Sequence, residues 1–198
     1  MVTVAAQIES KQDVRDEILQ AALKLFTAKG YFNTSIADIC HQAEVSTGTV
    51  YYYFKNKEGI AEALLGDVVH SLTASIAEIT AKSHSAFERL RAILELFFTL
   101  TQDAPEVMRF IVYLRHHEFL PNCPSFGLSE PFQQLTQIMR EGIRAGEIRR
   151  MDPAIASACF YGALVQIVQL RLDGVLEKSP DRYLFDTWTA IWRALAPA

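Results

Sequence analysis

The chain has 198 residues and a formal net charge of −4 at pH 7; 50% of its residues are hydrophobic and 21% are charged. This balance is typical of one or two small globular domains and excludes an intrinsically disordered chain. Its three cysteines are widely spaced and lie outside any CxxC pattern, which argues against a disulfide framework and a zinc ribbon. We find neither a run of about 20 apolar residues nor an export signal, and therefore expect a cytoplasmic protein that does not bind membranes.

The first predicted helix ends before Gly30, a residue type that commonly follows a helix C-terminus. Ser10 and Asp13 predict a capping box near its start. Apolar residues then recur at helical spacing, at Val14, Ile18, Ala21, Leu25 and Phe26. We predict that Tyr31 and Phe32, which follow the glycine, both fill the core of a three-helix unit.

Two short helical patterns with a tight connection follow in residues 35–54. Ser35 can cap the first of them, with Asp38 closing a capping box, and Ser46 can cap the second. Helices this short cannot bury enough surface to stand alone, so they need the preceding helix to pack against. The pattern is typical of a helix-turn-helix, in which the second helix enters the major groove of DNA.

The second short helix carries hydroxyl and aromatic side chains suited to a DNA surface. Val50 is its inward residue, whereas Tyr51, Tyr52 and Tyr53 span about 300° of a helix and cannot all face one core. Hydroxyl groups and helix N-terminal N–H groups bind phosphate oxygens. Gly48 has no side chain to hold the backbone away from DNA.

Charge alone argues against DNA binding. Residues 1–60 hold six Lys or Arg and seven Asp or Glu, so the segment is not basic overall. Only the surface that faces the groove needs to be positive. We predict such a patch from Lys11, Arg15, Lys55 and Lys57.

Residues 45–58, Val-Ser-Thr-Gly-Thr-Val-Tyr-Tyr-Tyr-Phe-Lys-Asn-Lys-Glu, resemble the signature of the TetR family, the tetracycline-repressor-type regulators. The resemblance extends back through residues 18–26 and 30–35, and so covers roughly the first third of the chain. It implies a DNA-binding domain, which we place at residues 1–56. A helical ligand-binding and dimerisation domain at residues 57–198 would follow.

Glu44 departs from the family pattern, because members usually carry glycine at this position of the turn. In a left-handed conformation, a residue other than glycine costs about 1 kcal/mol or a little more. That cost strains the turn without abolishing it.

The resemblance and the residue chemistry together predict the DNA contacts. Base edges would be contacted by Thr47, Gly48 and Tyr51. Phosphates would be contacted by Thr34, Ser35, Thr49, Tyr52, Tyr53 and Lys57.

The remainder of the chain predicts helices throughout, so the expected fold class is all-α. Asn56 can cap a long helix that begins at Lys57 and runs toward Ala81, long enough to join two domains. Asp152 and Ser179, each followed by proline, are the predicted N-caps of the last two helices. Further helices are expected at residues 86–103, 105–119, 132–144, 154–172 and 181–195, with a loop at 121–127.

Residues 97–132 are rich in Phe, Met, Tyr and Leu. Most of these side chains must be packed core. The resemblance also implies a cavity between helices for a small, largely apolar or aromatic effector. The candidate ligand-binding residues are Arg109, Phe110, Tyr113, His117 and Gln166.

The last two helices are too apolar for the surface of a monomer, although they could also be core. In the family they form a four-helix interface across a two-fold axis, and a palindromic operator requires a dimer. The candidate dimer-interface residues are Leu164, Ile167, Val168, Phe185, Trp188 and Trp192.

Arg115-His116-His117-Glu118 is the cluster that could suggest a metal or acid–base site. Adjacent histidines on a helix point about 100° apart and do not easily bind one ion. The spacing also differs from the His-Glu-x-x-His of zinc hydrolases. We predict no metal, no cofactor and no catalytic residue.

The leading hypothesis is a homodimeric, ligand-responsive transcriptional repressor that binds a palindromic operator. A ligand-independent DNA-organising or protein-partnered DNA-binding factor is the alternative. A more remote alternative is an all-α metal-dependent enzyme that uses His116, His117 and Glu118.

Overall fold

A computed structural model describes residues 14–120 and 128–197, and these residues form nine α-helices. In chain order they are α1 (Val14–Lys29), α2 (Ile36–Gln42), α3 (Thr47–Tyr53), α4 (Lys57–Lys82), α5 (Ala86–Asp103), α6 (Pro105–Tyr113), α7 (Glu130–Ala145), α8 (Pro153–Leu172) and α9 (Asp181–Leu195). A 3-10 turn, His116–Glu118, lies between α6 and α7. The predicted all-α class is confirmed. The predictions for Ser10, Lys11, Asp13, Cys123 and the loop at 121–127 fall outside the described residues.

The chain divides into two compact units. Of the described residues, the first unit holds 14–71 and 106–120, and the second holds 72–105 and 128–197. Helix α4 passes from one unit to the other between Ser71 and Leu72. The functional boundary at residue 56 is a different division, drawn between DNA contacts and the rest of the chain, and it stays a prediction.

The first unit is built on a core of α1, α2 and α3. Ile18, Phe26, Ile39 and Val50 are fully buried, and α2 packs against both of the other helices. The predicted capping box of α2 is present. The Ser35 side chain accepts from the backbone N–H of Asp38, and the Asp38 side chain accepts from the backbone N–H of Ser35. The start of α4 is capped as well: the backbone N–H of Gly59 donates to Asn56 Oδ1 at 2.8 Å.

Two predictions for this unit are wrong. Tyr31 is buried as expected, but Phe32 is 67% exposed, because neighbouring residues of a tight turn point in different directions. Helix α6 ends at Tyr113 and does not reach residue 119. Arg115, at φ −86° and ψ 79°, leaves the helical region, and the chain then forms the 3-10 turn.

The second unit contains α5, α7, α8 and α9, with α5 packed against each of the other three. Gly142 of α7 makes the closest approach, since a Cβ atom there would lie 2.6 Å from Ala86 Cβ of α5. Asp152 caps α8 as predicted and accepts from the backbone N–H of Ala154 at 2.7 Å. The predicted cap of α9 at Ser179 is wrong. The N-cap residue is Pro180, which is in the helical region and provides no side-chain hydrogen bond.

Helices α4 and α8 are long and apolar enough, by length and composition alone, to cross a membrane. Their 18-residue windows have mean hydropathies of 1.3 and 1.5. This is weak evidence for a membrane span, because a core helix of a globular protein passes the same test. Helix α8 also carries Gln166, Gln169 and Arg171.

Candidate nucleic-acid interface

Helix α3 is anchored at both ends and leaves most of its side chains in solvent. Ser46 caps its start by accepting from the Thr49 N–H at 3.0 Å. Val50 and Phe54 are buried beneath it. Tyr51 is 54% exposed and Tyr52 is 82% exposed. Large exposed aromatic side chains on a short rigid helix indicate a surface that contacts a partner.

The turn that leads into α3 has a left-handed residue at Glu44, the conformation considered in the sequence analysis. Glu44 has φ 55° and is the one residue other than glycine with a positive φ in the described part of the chain. Its backbone N–H donates to His41 O, and the Val45 N–H donates to Cys40 O at 3.0 Å. These two bonds form a Schellman motif, which satisfies the last carbonyls of α2 and aims the chain at α3.

The hydroxyl groups around α3 are partly engaged within the protein. Ser35 Oγ donates to Asp38 Oδ2 at 2.9 Å, and its oxygen accepts from the Asp38 N–H. The hydroxyls of Ser46 and Thr49 lie 2.8 Å apart. The hydrogen bonds from Ser35, with Lys29 nearby, lower the pKa of the Asp38 carboxyl to about 2. A phosphate oxygen that binds the Ser35 hydroxyl must therefore displace its bond to Asp38, whereas Ser46 and Thr49 use only one of their two hydroxyl protons in the bond between them.

Lys57 and Thr34 lie where the sequence did not place them. Lys57 Nζ donates to Tyr31 O at 2.9 Å and to Thr34 O at 2.8 Å, and it lies 4.2 Å from the centre of the Tyr31 ring. Thr34 is 1% exposed, and its hydroxyl donates to Gly30 O. Both side chains thus make bonds within the unit, which favours a supporting role over a direct phosphate contact.

Basic side chains near the predicted patch are paired with carboxylates of the protein. Arg15 Nη1 lies 3.1 Å from Asp67 Oδ2, and its guanidinium lies 6.0 Å from the Phe54 ring. Lys29 pairs with Asp38. Lys55 is exposed beside α3, so it is the member of the patch best placed to meet DNA.

The 3-10 turn after α6 packs on the α1–α2 connection through aromatic rings. Phe119 stacks on Tyr31 with ring centres 4.0 Å apart, and the Phe32 ring lies nearly perpendicular to both. His116 packs against Phe110 at 4.7 Å. Burial, with a smaller contribution from His117, lowers the pKa of His116 to about 4. No sequence pattern indicates the Tyr31–Phe119 contact, because the two residues are far apart in the chain and the helical pattern predicts a longer α6.

The His-His-Glu cluster does not form a converging set of ligands. His116 is half-buried among rings, His117 is exposed, and Glu118 pairs with Arg115 at 3.3 Å. Across the described ranges, 14–120 and 128–197, no three His, Cys, Asp or Glu side chains are grouped as metal ligands would be.

The candidate ligand-binding residues do not all lie in one unit, and several candidate interface residues are buried. Phe110 is fully buried in the first unit, whereas Gln166 is exposed on α8 in the second. Three of the candidate interface residues, Leu164, Val168 and Trp188, are core side chains of the second unit, which corrects their assignment. Sequence periodicity could not separate core from surface here, because apolar residues occur on every side of α8.

The residues exposed on α8 and α9 are mostly others. Phe185 of α9 is 78% exposed and was among the candidates. On α8, one stripe of residues faces solvent at Ile155, Ala158, Cys159, Gly162 and Gln166. A Cβ atom on Gly162 would meet no atom within 4 Å. We refer to this stripe, together with the exposed Phe185 of α9, as the α8 face.

Comparison with known proteins gives a consistent family. Residues 18–64 match the family described as bacterial regulatory proteins, tetR family. The HTH-type transcriptional regulator BetI of Burkholderia thailandensis is 33% identical over 178 residues, which cover 89% of this chain and 87% of the relative. The fatty acid metabolism regulator protein of Bacillus subtilis is 26% identical over 156 residues, covering 77% of this chain and 80% of that protein.

Solved structures share the fold. The regulator FadR from Bacillus subtilis, in complex with stearoyl-CoA, has a TM-score of 0.77 at 22% identity and covers 88% of this chain and 96% of that one. The ketosteroid regulator KstR2 of Mycobacterium tuberculosis has a TM-score of 0.76 at 19% identity, over 95% and 97% of the two chains. With a capped helix-turn-helix, an exposed tyrosine-bearing second helix and a relative above 30% identity over most of both lengths, the chain belongs to the TetR family of DNA-binding transcriptional regulators.

Proposed function

We propose that this protein is a cytoplasmic, homodimeric repressor that binds a palindromic operator and is released by a small, largely apolar effector. The observation that carries the DNA-binding part is the exposure of Tyr51, Tyr52 and Tyr53 on a helix capped at Ser46 and anchored by Val50. A helix held this way has one free surface, and that surface carries donors for phosphates and base edges.

We assign the proposed DNA contacts to side chains that are exposed on and around α3. Thr47, Gly48 and Tyr51 would meet base edges, since the first turn of a recognition helix lies closest to the groove floor. Ser35, Thr49, Tyr52 and Tyr53, together with Lys55, would meet phosphates. Lys57 and Thr34 would support this surface from behind through their bonds within the first unit.

Gly48 offers a test that separates folding from DNA binding. A Cβ atom there would lie 3.6 Å from Ser46 Oγ, an ordinary contact, so Gly48→Ala adds no clash within the protein. Alanine favours the helical state by about 1 kcal/mol over glycine. We expect the variant to be at least as stable as the parent and to bind DNA at least tenfold more weakly. Unchanged DNA affinity would remove α3 from the interface.

Dimerisation is proposed through the α8 face. Small residues such as Ala158 and Gly162 permit close helix approach, and Ile155 and Phe185 supply apolar area that water otherwise covers. Gly162→Arg places a long charged side chain in that open position. Sedimentation should give a dimer for the parent and a monomer for the variant, and a dimeric variant would move the interface elsewhere.

The effector proposal has support from a relative with a bound ligand, since FadR from Bacillus subtilis was solved with stearoyl-CoA. Acyl-CoA thioesters of several chain lengths are therefore the first compounds to add to a preformed DNA complex. Release of DNA by one of them would support a ligand-responsive repressor. A complex that persists with every acyl chain would favour the alternative, a DNA-binding factor without a small effector.

A further inference from the structure

The unit that contains the helix-turn-helix also contains a segment from much later in the chain. Residues 106–120 belong to the same compact unit as α1, α2 and α3, although residues 72–105 belong to the second unit. The family match at residues 18–64 does not include this segment. The segment meets the α1–α2 connection through Phe119, the residue that follows the 3-10 turn. The helix-turn-helix is therefore packed against residues that lie outside its own sequence motif.

Phe119 is held in place by its own segment. Its backbone N–H donates to His116 O at 3.2 Å, and the Leu120 N–H donates to the same carbonyl at 2.8 Å. The His116 ring lies 4.7 Å from the ring of Phe110, a fully buried residue of α6. The Phe119 ring is therefore held at a defined position relative to α6.

The Tyr31 ring is the partner of Phe119 on the other side of this contact. The two ring centres lie 4.0 Å apart and the ring planes differ by 12°. Tyr31 is 5% exposed, and Lys57 Nζ lies 4.2 Å from the centre of its ring. Aromatic pairs and cation–π contacts each favour a particular ring position. Phe119 and Lys57 together therefore fix where the Tyr31 ring lies.

Tyr31 and Lys57 in turn fix the start of α2. Lys57 Nζ donates to Tyr31 O at 2.9 Å and to Thr34 O at 2.8 Å, and the Thr34 N–H donates to Tyr31 O at 3.2 Å. The next residue, Ser35, is the N-cap of α2, and α2 packs against α3. A displacement of Tyr31 would therefore move the start of α2 and, with it, the surface that carries α3.

We propose that Phe119 is a positioning residue for DNA binding, because its stack on Tyr31 holds the helix-turn-helix in the arrangement that fits DNA. Phe119 is 8% exposed and acts through Tyr31, not by contact with DNA. Without the stack, the start of α2 occupies several arrangements. Only the competent fraction binds, so the apparent affinity falls in proportion to that fraction. This inference rests on the DNA contacts proposed for α3.

The test removes the stack from each side. DNA affinity of the full-length protein is measured at several salt concentrations, on a duplex that the parent selects from a random library. Phe119→Leu should weaken binding about threefold to tenfold, the range of one aromatic pair, with an unchanged slope of log affinity against log salt. Adding Phe119→Leu to Tyr31→Leu should have little further effect, because both remove the same contact. Tyr31→Phe, which restores the ring, should recover the affinity that Tyr31→Leu loses.

A control separates positioning from loss of stability. Phe97 is 5% exposed on α5 in the second unit, so Phe97→Leu makes the same buried substitution away from the stack. It should lower the melting temperature and leave DNA affinity unchanged when binding is measured well below that temperature. Phe119→Met, which keeps apolar volume without a ring, replaces Phe119→Leu if the leucine variant does not fold.

Three results would overturn the positioning role of Phe119. They are unchanged DNA affinity when its ring is removed, a reduced salt slope, and effects of Tyr31→Leu and Phe119→Leu that add fully. Loss of binding in Gly48→Ala would in each case leave the α3 proposal intact, so the failure of one inference is distinguishable from the failure of the other.

Discussion

Glu44 holds the turn of the helix-turn-helix at φ 55°, in a region where a side chain is strained. Glu44→Gly removes that strain, and we expect the free energy of unfolding to rise by about 1 kcal/mol. Glu44→Ala is the matched control, because it removes the charge and keeps the Cβ atom. Chemical denaturation of the three proteins measures the effect. Equal stabilisation by alanine and glycine would assign it to charge rather than to backbone strain.

Lys57 contacts two backbone carbonyls and the Tyr31 ring, which predicts a supporting role rather than a phosphate contact. Lys57→Met should weaken DNA binding but leave the slope of log affinity against log salt unchanged, since no counterion is released at this residue. Lys55→Met should lower that slope by about 0.9, the value for one phosphate contact. Binding titrations over several salt concentrations decide the matter. A reduced slope for Lys57→Met would return this lysine to the DNA surface.

His116 gives the stability a pH dependence, because burial lowers its pKa to about 4 from an ordinary value near 6.5. Between these values the unfolded chain binds more protons than the folded one, so stability falls as pH drops from about 6.5 to 4. The full contribution is about 3 kcal/mol at most. His116→Phe should remove this part of the pH dependence, whereas His117→Gln, at an exposed position, should retain it. Identical pH profiles for all three proteins would contradict the burial of His116.

At the level of helices, Gly142 fixes how closely α7 approaches α5. A Cβ atom there would lie 2.6 Å from Ala86 Cβ and 2.8 Å from Ile148 Cδ1, so Gly142→Ala forces a shift and should destabilise the protein by about 1–3 kcal/mol. Gly66 lies within α4 and has nothing within 4 Å of its would-be Cβ atom. Gly66→Ala should therefore stabilise the protein by up to about 1 kcal/mol. In thermal unfolding, we expect Gly142→Ala to lower the melting temperature and Gly66→Ala to raise it. An unchanged melting temperature for Gly142→Ala would show that the contact relaxes.

The helices that the sequence predicted well are those whose ends carry local chemistry. Ser35, Ser46, Asn56 and Asp152 each cap a helix where expected, because capping depends on residues within one turn. The end of α6 was not predicted, because no glycine or proline marks the break at Arg115. Which face of α8 is buried was also missed, since both faces are apolar and only tertiary packing distinguishes them.

The same distinction between local chemistry and tertiary packing applies to the candidate site. Exposure of the tyrosines on α3 followed from helical geometry alone, whereas the bonds of Lys57 to Tyr31 and Thr34 depend on contacts across more than 20 residues.

At the level of the whole molecule, the proposed regulation requires two copies and two states. A dimer formed through the α8 face would present two α3 helices to one duplex. An effector can shift that assembly only by binding one state more tightly than the other, and a nearly complete release needs a difference of about 5.5 kcal/mol.

The most direct measurement is selection of bound sequences from a random duplex library by the full-length protein. We predict enrichment of an inverted repeat whose half-sites are centred about one helical turn, or a multiple of it, apart. The same selection with Gly48→Ala should lose that enrichment. A pool with no enriched sequence, or a single unrepeated half-site bound equally well by both proteins, would contradict the account of a dimer that reads DNA through α3.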